Sequence, residues 1–184
     1  MKKITFLVLS LAAVVVVAIA AKNIKSNSNP APSNGDSAIQ WLSWDEAVKA
    51  NETVKKKFFI DFYTDWCGWC KRMDKTTFTD PAVVKYINEN FHPIKFNAEQ
   101  KEDIVFQGRT FKWRAGGRNG VHTLAYELLN GRLGYPSYVY LTPDFERILI
   151  SPGYKPAPDL IKELEFVAGD HYETTSWDDY KKSK

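Results

Sequence analysis

The stretch FFIDFYTDWCGWCK, residues 58–71, carries the strongest structural signal in this chain of 184 residues. Its first six residues form a mostly apolar run of the kind that makes a buried central strand. Near its end stand Cys67 and Cys70, the two cysteines of the chain. A C-x-x-C motif that opens a helix after such a strand places the first sulfur at the helix N-terminus, where unpaired N–H groups favour the thiolate. The pattern predicts a disulfide-exchange centre in which Cys67 attacks and Cys70 resolves.

Other interpretations of the cysteine pair are weaker. A bridge that closes a two-residue loop restrains little of the unfolded chain, so a purely structural disulfide is disfavoured. A closed zinc site needs four ligands, and His92, His122 and His171 do not stand at finger-like spacing from the cysteines. Two inert, buried cysteines are disfavoured because the flanking tryptophans and glycine are typical of an exposed turn. We therefore predict no metal centre, and an accessory metal-binding role stays open.

Residues 58–71 resemble the active-site segment of thioredoxin, and the resemblance continues downstream. Residues 93–97, PIKFN, are similar to the central strand of that family, and residues 134–140, GYPSYVY, to its cis-proline loop and the strand that follows. Gly153 precedes a final helix, as in the family. The departure is Trp69, where thioredoxin has proline and disulfide isomerases have histidine. This substitution leaves the direction of electron flow open.

The resemblance covers about residues 40–168 and implies an α/β thioredoxin fold, with a central mixed β-sheet flanked by helices and an insertion before the cis-proline strand. Local patterns agree with that fold. They predict a capping box at Ser43–Glu46, a helix start at Asp80-Pro81, a strand over 91–97, a hairpin over 138–151 and a last helix over 158–167.

Residues 98–133 exceed what a single crossover helix requires. Their pattern predicts a short hairpin over 106–113, a glycine-containing loop over 115–120 and a helix over 122–129 whose leucines face the core. We interpret this insertion as a substrate- or partner-contacting elaboration near the cis-proline loop.

Asp61 is the predicted base of the site. It stands in an otherwise apolar strand, six residues before Cys67, where burial of a lone carboxylate raises its pKa towards the range useful for proton transfer. We expect it to deprotonate Cys70 when that thiol attacks. Asp61 and Lys95 also match the buried acid of the thioredoxin family and its lysine neighbour, which implies a structural role beside the catalytic one.

The predicted substrate-binding surface surrounds the sulfurs. The resemblance implies a cis peptide bond at Pro136, in a loop that presents the Tyr135 backbone to an extended substrate segment by strand-like pairing. Tryptophans on both sides of the motif add apolar surface for docking. The predicted substrate-binding residues are Trp66, Gly68, Trp69, Tyr135 and Pro136.

The N-terminus predicts export. Lys2-Lys3 precedes an uncharged apolar stretch over 4–21 that is typical of a secretory signal, with an A-x-A cleavage site at 18–20. An uncleaved membrane anchor is the alternative, because the stretch approaches the length of a span. Both place the protein outside the cytoplasm, periplasmic or secreted. The predicted organisation is a signal peptide or membrane anchor over 1–21, a flexible linker over 22–38, a thioredoxin-like domain over 39–169 and a C-terminal tail over 170–184.

Charge argues against a nucleic-acid partner. The chain has 25 basic and 22 acidic residues, and removal of residues 1–21 takes away two lysines and no acid, which leaves 23 against 22. We predict an exported thiol–disulfide oxidoreductase that reduces protein disulfides and is re-reduced by an upstream thiol donor. It needs no cofactor beyond the redox-active Cys67–Cys70 disulfide. The alternatives are a disulfide-forming oxidase or isomerase and, from another class, a non-catalytic thiol-dependent binding module or metallochaperone.

Overall fold

The computed structural model describes residues 38–183. The predicted signal or anchor, and the predicted linker up to residue 37, lie outside the described residues. Within residues 38–183 no helix is long and apolar enough to cross a membrane. In chain order the elements are α1 (Trp44–Thr53), β1 (Lys57–Tyr63), α2 (Gly68–Lys75), α3 (Pro81–Asn90), β2 (Phe91–Asn97), β3 (Ile104–Phe106), β4 (Arg109–Phe111), β5 (Trp113–Arg114), β6 (Val121–His122), α4 (Thr123–Leu128), β7 (Ser137–Leu141), β8 (Arg147–Pro152), α5 (Ala157–Ala168) and α6 (Trp177–Ser183).

A four-stranded mixed sheet in the order β2-β1-β7-β8 forms the centre of the fold. β1 pairs with β2 in parallel, and the helices between them in sequence supply the crossover that a parallel pair requires. β7 lies antiparallel on the other side of β1, and β8 follows it as a hairpin. The sheet confirms the predicted α/β thioredoxin fold. Its register places Asp61 beside Lys95 on one side and beside Tyr138 on the other.

Local sequence signals determine where the helices begin. The Ser43 side chain accepts a hydrogen bond from the backbone N–H of Glu46, and the Glu46 carboxylate accepts one in return from the Ser43 backbone. The predicted capping box is therefore confirmed. Asp80 caps α3 by accepting from the backbone N–H groups of Ala82 and Val83, with Pro81 at the first helical position. Each cap satisfies N–H groups that a helix start leaves without an intrahelical partner.

The sheet separates two hydrophobic clusters. Successive side chains of a strand point to opposite faces, so Phe59 packs in one cluster while Phe58 and Ile60 pack in the other. Asp61 follows Phe59 by two residues and therefore faces the first cluster, which contains Met73 of α2. A charged group thus points into an apolar layer directly beneath the helix that begins at the C-x-x-C motif.

The insertion between β2 and β7 folds into two small ladders and a helix. β3 and β4 pair across a turn at Gln107-Gly108, where both residues have positive φ, and β5 pairs separately with β6. The sequence predicted one hairpin over 106–113. The ladder instead spans 104–111, because the turn residues fix its centre. α4 lies inside the predicted helix, and Leu124 and Leu129 at its two ends are buried.

The segment after Gly169, predicted only as a tail, folds against the domain. α6 brings Trp177 and Tyr180 onto Phe166 of α5, with ring centroids 5.2 and 5.1 Å from that phenyl ring. Asp170 forms an ion pair with Lys57 at 2.5 Å. The sequence does not reveal this packing, because Trp177 and Tyr180 contact Phe166 on another helix and no local pattern indicates that contact.

We expect Tyr180→Ala to lower the free energy of unfolding by about 2 kcal/mol, because the ring is 5% exposed and its removal leaves a cavity beside Phe166. Lys182→Ala, at an exposed position on the same helix, serves as the control and should change stability little. Urea unfolding measures both. Equal stability of the two variants would show that α6 contributes nothing to the core.

Candidate redox site

Cys67 and Cys70 form a disulfide at the start of α2. Cys67 is the N-cap residue, and its sulfur accepts a hydrogen bond from the Cys70 backbone N–H at 3.0 Å. The sequence predicted an accessible Cys67 and a deeper Cys70, but in this oxidised form the two are 4% and 2% exposed. Position on the helix, more than exposure, therefore distinguishes the two sulfurs. The same N–H donor and the helix dipole favour a thiolate on Cys67 after reduction.

Asp61 lies buried beneath this helix with an exposure of 1%. Burial raises its pKa from the ordinary 3.8 to about 6, against the opposing effect of the Lys95 ammonium. The Lys95 amine donates to one carboxylate oxygen, Oδ2, at 2.6 Å. The other oxygen, Oδ1, has no hydrogen-bond partner among residues 38–183. Asp61 therefore has one anchored oxygen and one that is free to take a proton.

Lys95 is shared between two carboxylates. Besides Asp61 it forms an ion pair with Asp74 of α2. Burial by itself lowers the pKa of Lys95, but the two carboxylates outweigh burial and hold this pKa above its usual range. Trp41, Tyr63 and Phe78 place their rings about 5 Å from the ammonium and complete its surroundings.

Asp74 is a residue of the site that sequence reasoning missed. Its side chain is 44% exposed, so it connects the buried Asp61–Lys95 pair to solvent. One signal was available, because Asp74 follows Cys70 by four residues and so lies on the same side of α2.

We expect Asp61→Asn to separate stability from activity. Because the folded pKa of Asp61 exceeds 3.8, the folded protein binds this proton more tightly than the unfolded chain does, and the contribution of Asp61 to wild-type stability falls as the pH rises from about 4 to about 6. The variant lacks that loss and should be more stable than the wild type at about pH 8, by up to about 3 kcal/mol. Turnover should fall, because the proton acceptor is gone.

Urea unfolding of the oxidised wild type and of Asp61→Asn, at about pH 4 and at about pH 8, measures the two stabilities. The exposed Asp65, substituted in the same way, is the control. A stability difference between Asp61→Asn and the wild type that is the same at both pH values would contradict a buried, proton-binding Asp61.

Trp66 connects the motif to two other segments. Its indole N–H donates to the Glu99 carboxylate at 2.8 Å, and its ring meets the Tyr135 ring edge-on at 6.1 Å. The Tyr135–Pro136 peptide bond is cis, as the sequence predicted. Trp66 thus lies between the cis-proline loop and the segment after β2, and its 60% exposure leaves a face open to a substrate.

The insertion reaches this site through Asn119. Its side-chain amide donates to the same Glu99 carboxylate at 3.1 Å. The loop that carries Asn119 requires glycine at position 120, where φ is +74° and a Cβ would approach the Trp113 ring to 2.4 Å. Sequence reasoning missed Glu99 and Asn119, because neither residue carries a local signal for a contact between two loops.

We expect Glu99→Ala to lower the free energy of unfolding by about 1 kcal/mol and to shift the Trp66 indole N–H resonance, because that donor loses its acceptor. Asn119→Ala should shift the same resonance less. Arg118→Ala, an exposed change in the same loop, is the control. Two-dimensional ¹H–¹⁵N NMR makes the measurement. An indole resonance that is unchanged in Glu99→Ala would exclude the contact.

The other predicted site residues surround the disulfide. Gly68 lies on the open side of the motif, where an added methyl group would meet nothing within 4 Å. Trp69 is 56% exposed and packs against Tyr154, with ring centroids 5.5 Å apart. These surfaces leave room for a polypeptide to approach the sulfurs.

Two of the three histidines considered as metal ligands have backbone partners instead. His92 and His122 are buried, and each contacts a backbone carbonyl, that of Val54 at 2.8 Å and that of Glu102 at 3.0 Å. Burial lowers the pKa of both rings. Within the described part of the chain, no three residues among His, Cys, Asp and Glu are grouped to hold a metal ion.

The fold and the site define a thioredoxin-like protein of the disulfide oxidoreductase class. The chain belongs to the Thioredox_DsbH family, described as "Protein of unknown function, DUF255", whose sequence model matches residues 22–181. A solved structure, that of a putative disulphide-isomerase from Bacteroides thetaiotaomicron, is 27% identical with a TM-score of 0.52 and covers 79% of this chain and 100% of that one.

Two curated relatives are much longer than the segment they share with this chain. An uncharacterized protein of Caenorhabditis elegans is 28% identical over 116 residues, which cover 62% of this chain and 14% of the relative. The thiol:disulfide interchange protein DsbD of Ralstonia nicotianae is 49% identical over 39 residues, which cover 21% of this chain and 6% of the relative. The chain therefore spans a small part of either protein.

Proposed function

We propose that this protein reduces disulfides of protein substrates outside the cytoplasm, through the Cys67–Cys70 dithiol. The observation that carries the proposal is the disulfide at the N-terminus of α2, a helix linked through Asp74 and Lys95 to the buried Asp61, which has one oxygen unpartnered. A structural bridge has no use for a proton acceptor beneath it. Export is inferred from Lys2-Lys3 and the apolar stretch over 4–21.

The proposed reaction begins with the reduced enzyme. The Cys67 thiolate attacks one sulfur of the substrate disulfide, forms a mixed disulfide and releases the other substrate sulfur as a thiolate. The Cys70 thiol then transfers its proton to Asp61, and its thiolate attacks the Cys67 sulfur. The second substrate thiolate leaves, the enzyme is oxidised by two electrons, and the substrate is reduced by two.

Lys95 and Asp74 act on this step through Asp61. The ammonium holds Oδ2 and so keeps the carboxyl in place, while desolvation keeps its pKa near 6, where it can both accept and release a proton at neutral pH. Asp74 forms the second ion pair of Lys95, and its exposed carboxylate connects the Asp61–Lys95 pair to solvent. An upstream thiol donor then reduces the Cys67–Cys70 disulfide, and the protein works without a further cofactor.

The reduction potential of the Cys67–Cys70 couple, measured against a glutathione buffer, tests the direction of the reaction. We expect a value near the reducing end of the range, about −270 mV, together with catalysis of insulin reduction by dithiothreitol. A value of about −120 mV would instead identify the protein as a disulfide-forming oxidase.

Trapping of the mixed disulfide tests the assignment of the two sulfurs in the same preparation. Cys70→Ser should accumulate substrate on Cys67, because the attacking thiolate remains and the resolving thiol is gone. The variant with both cysteines changed to serine is the control. If Cys70→Ser traps no more substrate than the control, Cys67 is not the attacking thiolate and the proposed mechanism fails.

A further inference from the structure

The helix that follows the motif carries an arginine that lies against a pair of contacting aromatic rings. The Arg72 guanidinium lies 5.3 Å from the ring centroid of Trp69 and 5.1 Å from that of Tyr154. Hydrogen bonding, to Thr76 first and also to Arg72, lowers the pKa of the Tyr154 hydroxyl. We call Trp69, Arg72 and Tyr154 the arginine clamp. Trp69 is the x residue immediately before Cys70, so the clamp begins inside the redox motif.

The clamp leaves most of the hydrogen-bonding capacity of Arg72 unused. A guanidinium has five N–H donors in a planar fork that matches a carboxylate, and the Tyr154 hydroxyl accepts a hydrogen bond from that of Arg72. Among residues 38–183 no carboxylate lies within ion-pair distance of Arg72. The side chain is exposed, and the two rings restrict its motion before any partner arrives.

Charge around the disulfide is unevenly distributed. Lys71 and Lys75 lie beside Arg72 on α2, both exposed, and neither has an ion-pair partner in the described part of the chain. On the Trp66 side of the motif lie the carboxylates of Asp65 and Glu99, with the exposed Arg118 next to Asn119, which contacts Glu99. A polypeptide that crosses the sulfurs therefore meets an excess of cations at the α2 end.

We propose that the arginine clamp binds a carboxylate of the protein substrate, so that the preferred substrates carry acidic residues close to the reacting cysteine. The inference rests on the proposed function and names the substrate class for it. A carboxylate can form a bidentate pair with the Arg72 edge while its own chain packs on the exposed Trp69 ring. Lys71 and Lys75 strengthen the local positive potential and speed the encounter.

The test compares two peptides with the same disulfide and the same length, one with glutamate and one with lysine on both sides of the reacting cysteine. Single-turnover reduction by the pre-reduced full chain gives a rate constant for each peptide. A small neutral disulfide provides the reference rate. We expect the wild type to prefer the acidic peptide and Arg72→Glu to lower the ratio of acidic to basic rates by about tenfold or more.

Two further variants separate geometry from charge. Lys85→Glu makes the same change of charge at an exposed position on α3 and should leave the ratio as in the wild type. Arg72→Lys retains the charge without the planar fork and should give an intermediate ratio. Added salt should reduce the preference of the wild type, because the contact is exposed.

Each result decides one of the two proposals. If wild type and Arg72→Glu have the same ratio, or if Lys85→Glu lowers it as much as Arg72→Glu does, the clamp does not select the substrate. If the wild type reduces none of the disulfides, the proposed function fails. The clamp is then tested by itself, by calorimetric titration of the oxidised protein with the acidic peptide whose cysteines are replaced by serine. Binding lost in Arg72→Glu supports the clamp, and equal binding overturns it.

Discussion

The ion pair of Asp61 and Lys95 is the constraint on which the rest of the site depends. It joins the two parallel strands β1 and β2 in register, and it places an ionisable group inside the apolar layer that supports α2. Moving two charges out of water is costly, and their mutual attraction offsets that cost only when the geometry is good and further partners are present. Asp74 and three aromatic rings around the ammonium are those partners.

The two side chains of this ion pair are not equally supplied with hydrogen-bond partners, and the difference has a functional consequence. The Lys95 ammonium has two carboxylate partners, whereas Asp61 has one oxygen without a partner in residues 38–183. A buried polar atom without a hydrogen-bond partner calls for a physical explanation. In the proposed function, the explanation is the transfer of a proton from the resolving cysteine to this oxygen. The two tryptophans beside the disulfide have different surroundings. Trp66 is held by Glu99, which Asn119 of the insertion also contacts, and Trp69 is held by the arginine clamp.

The features that the sequence predicted correctly are those with local causes. The capping box at Ser43, the cap at Asp80 and the strand over 58–63 each depend on residues a few positions apart, and the structure confirms all three. The C-x-x-C pair and its disulfide follow from spacing alone. Asp61 was found because a single acid in an apolar strand is conspicuous.

The features that the sequence did not reveal depend on contacts between distant segments. Asn119 meets Glu99 only because the insertion folds back over the end of β2, and neither residue has a pattern that indicates it. Arg72 meets Tyr154 across a separation of more than eighty positions in the chain. The sequence predicts only a tail where α6 forms, because the packing partner of its aromatic residues, Phe166, lies on another helix. Such pairings are decided by topology and not by local propensity.

The protonation of Asp61 tests the central claim most directly. Carbon-detected NMR titration of the ¹³C-labelled oxidised protein follows the Asp61 carboxyl resonance through its ionisation. Burial against a single ammonium predicts a midpoint near 6. A midpoint at or below the ordinary value of 3.8 would show that Lys95 fully compensates for burial, and the carboxylate would then be too weak a base to take the proton of Cys70.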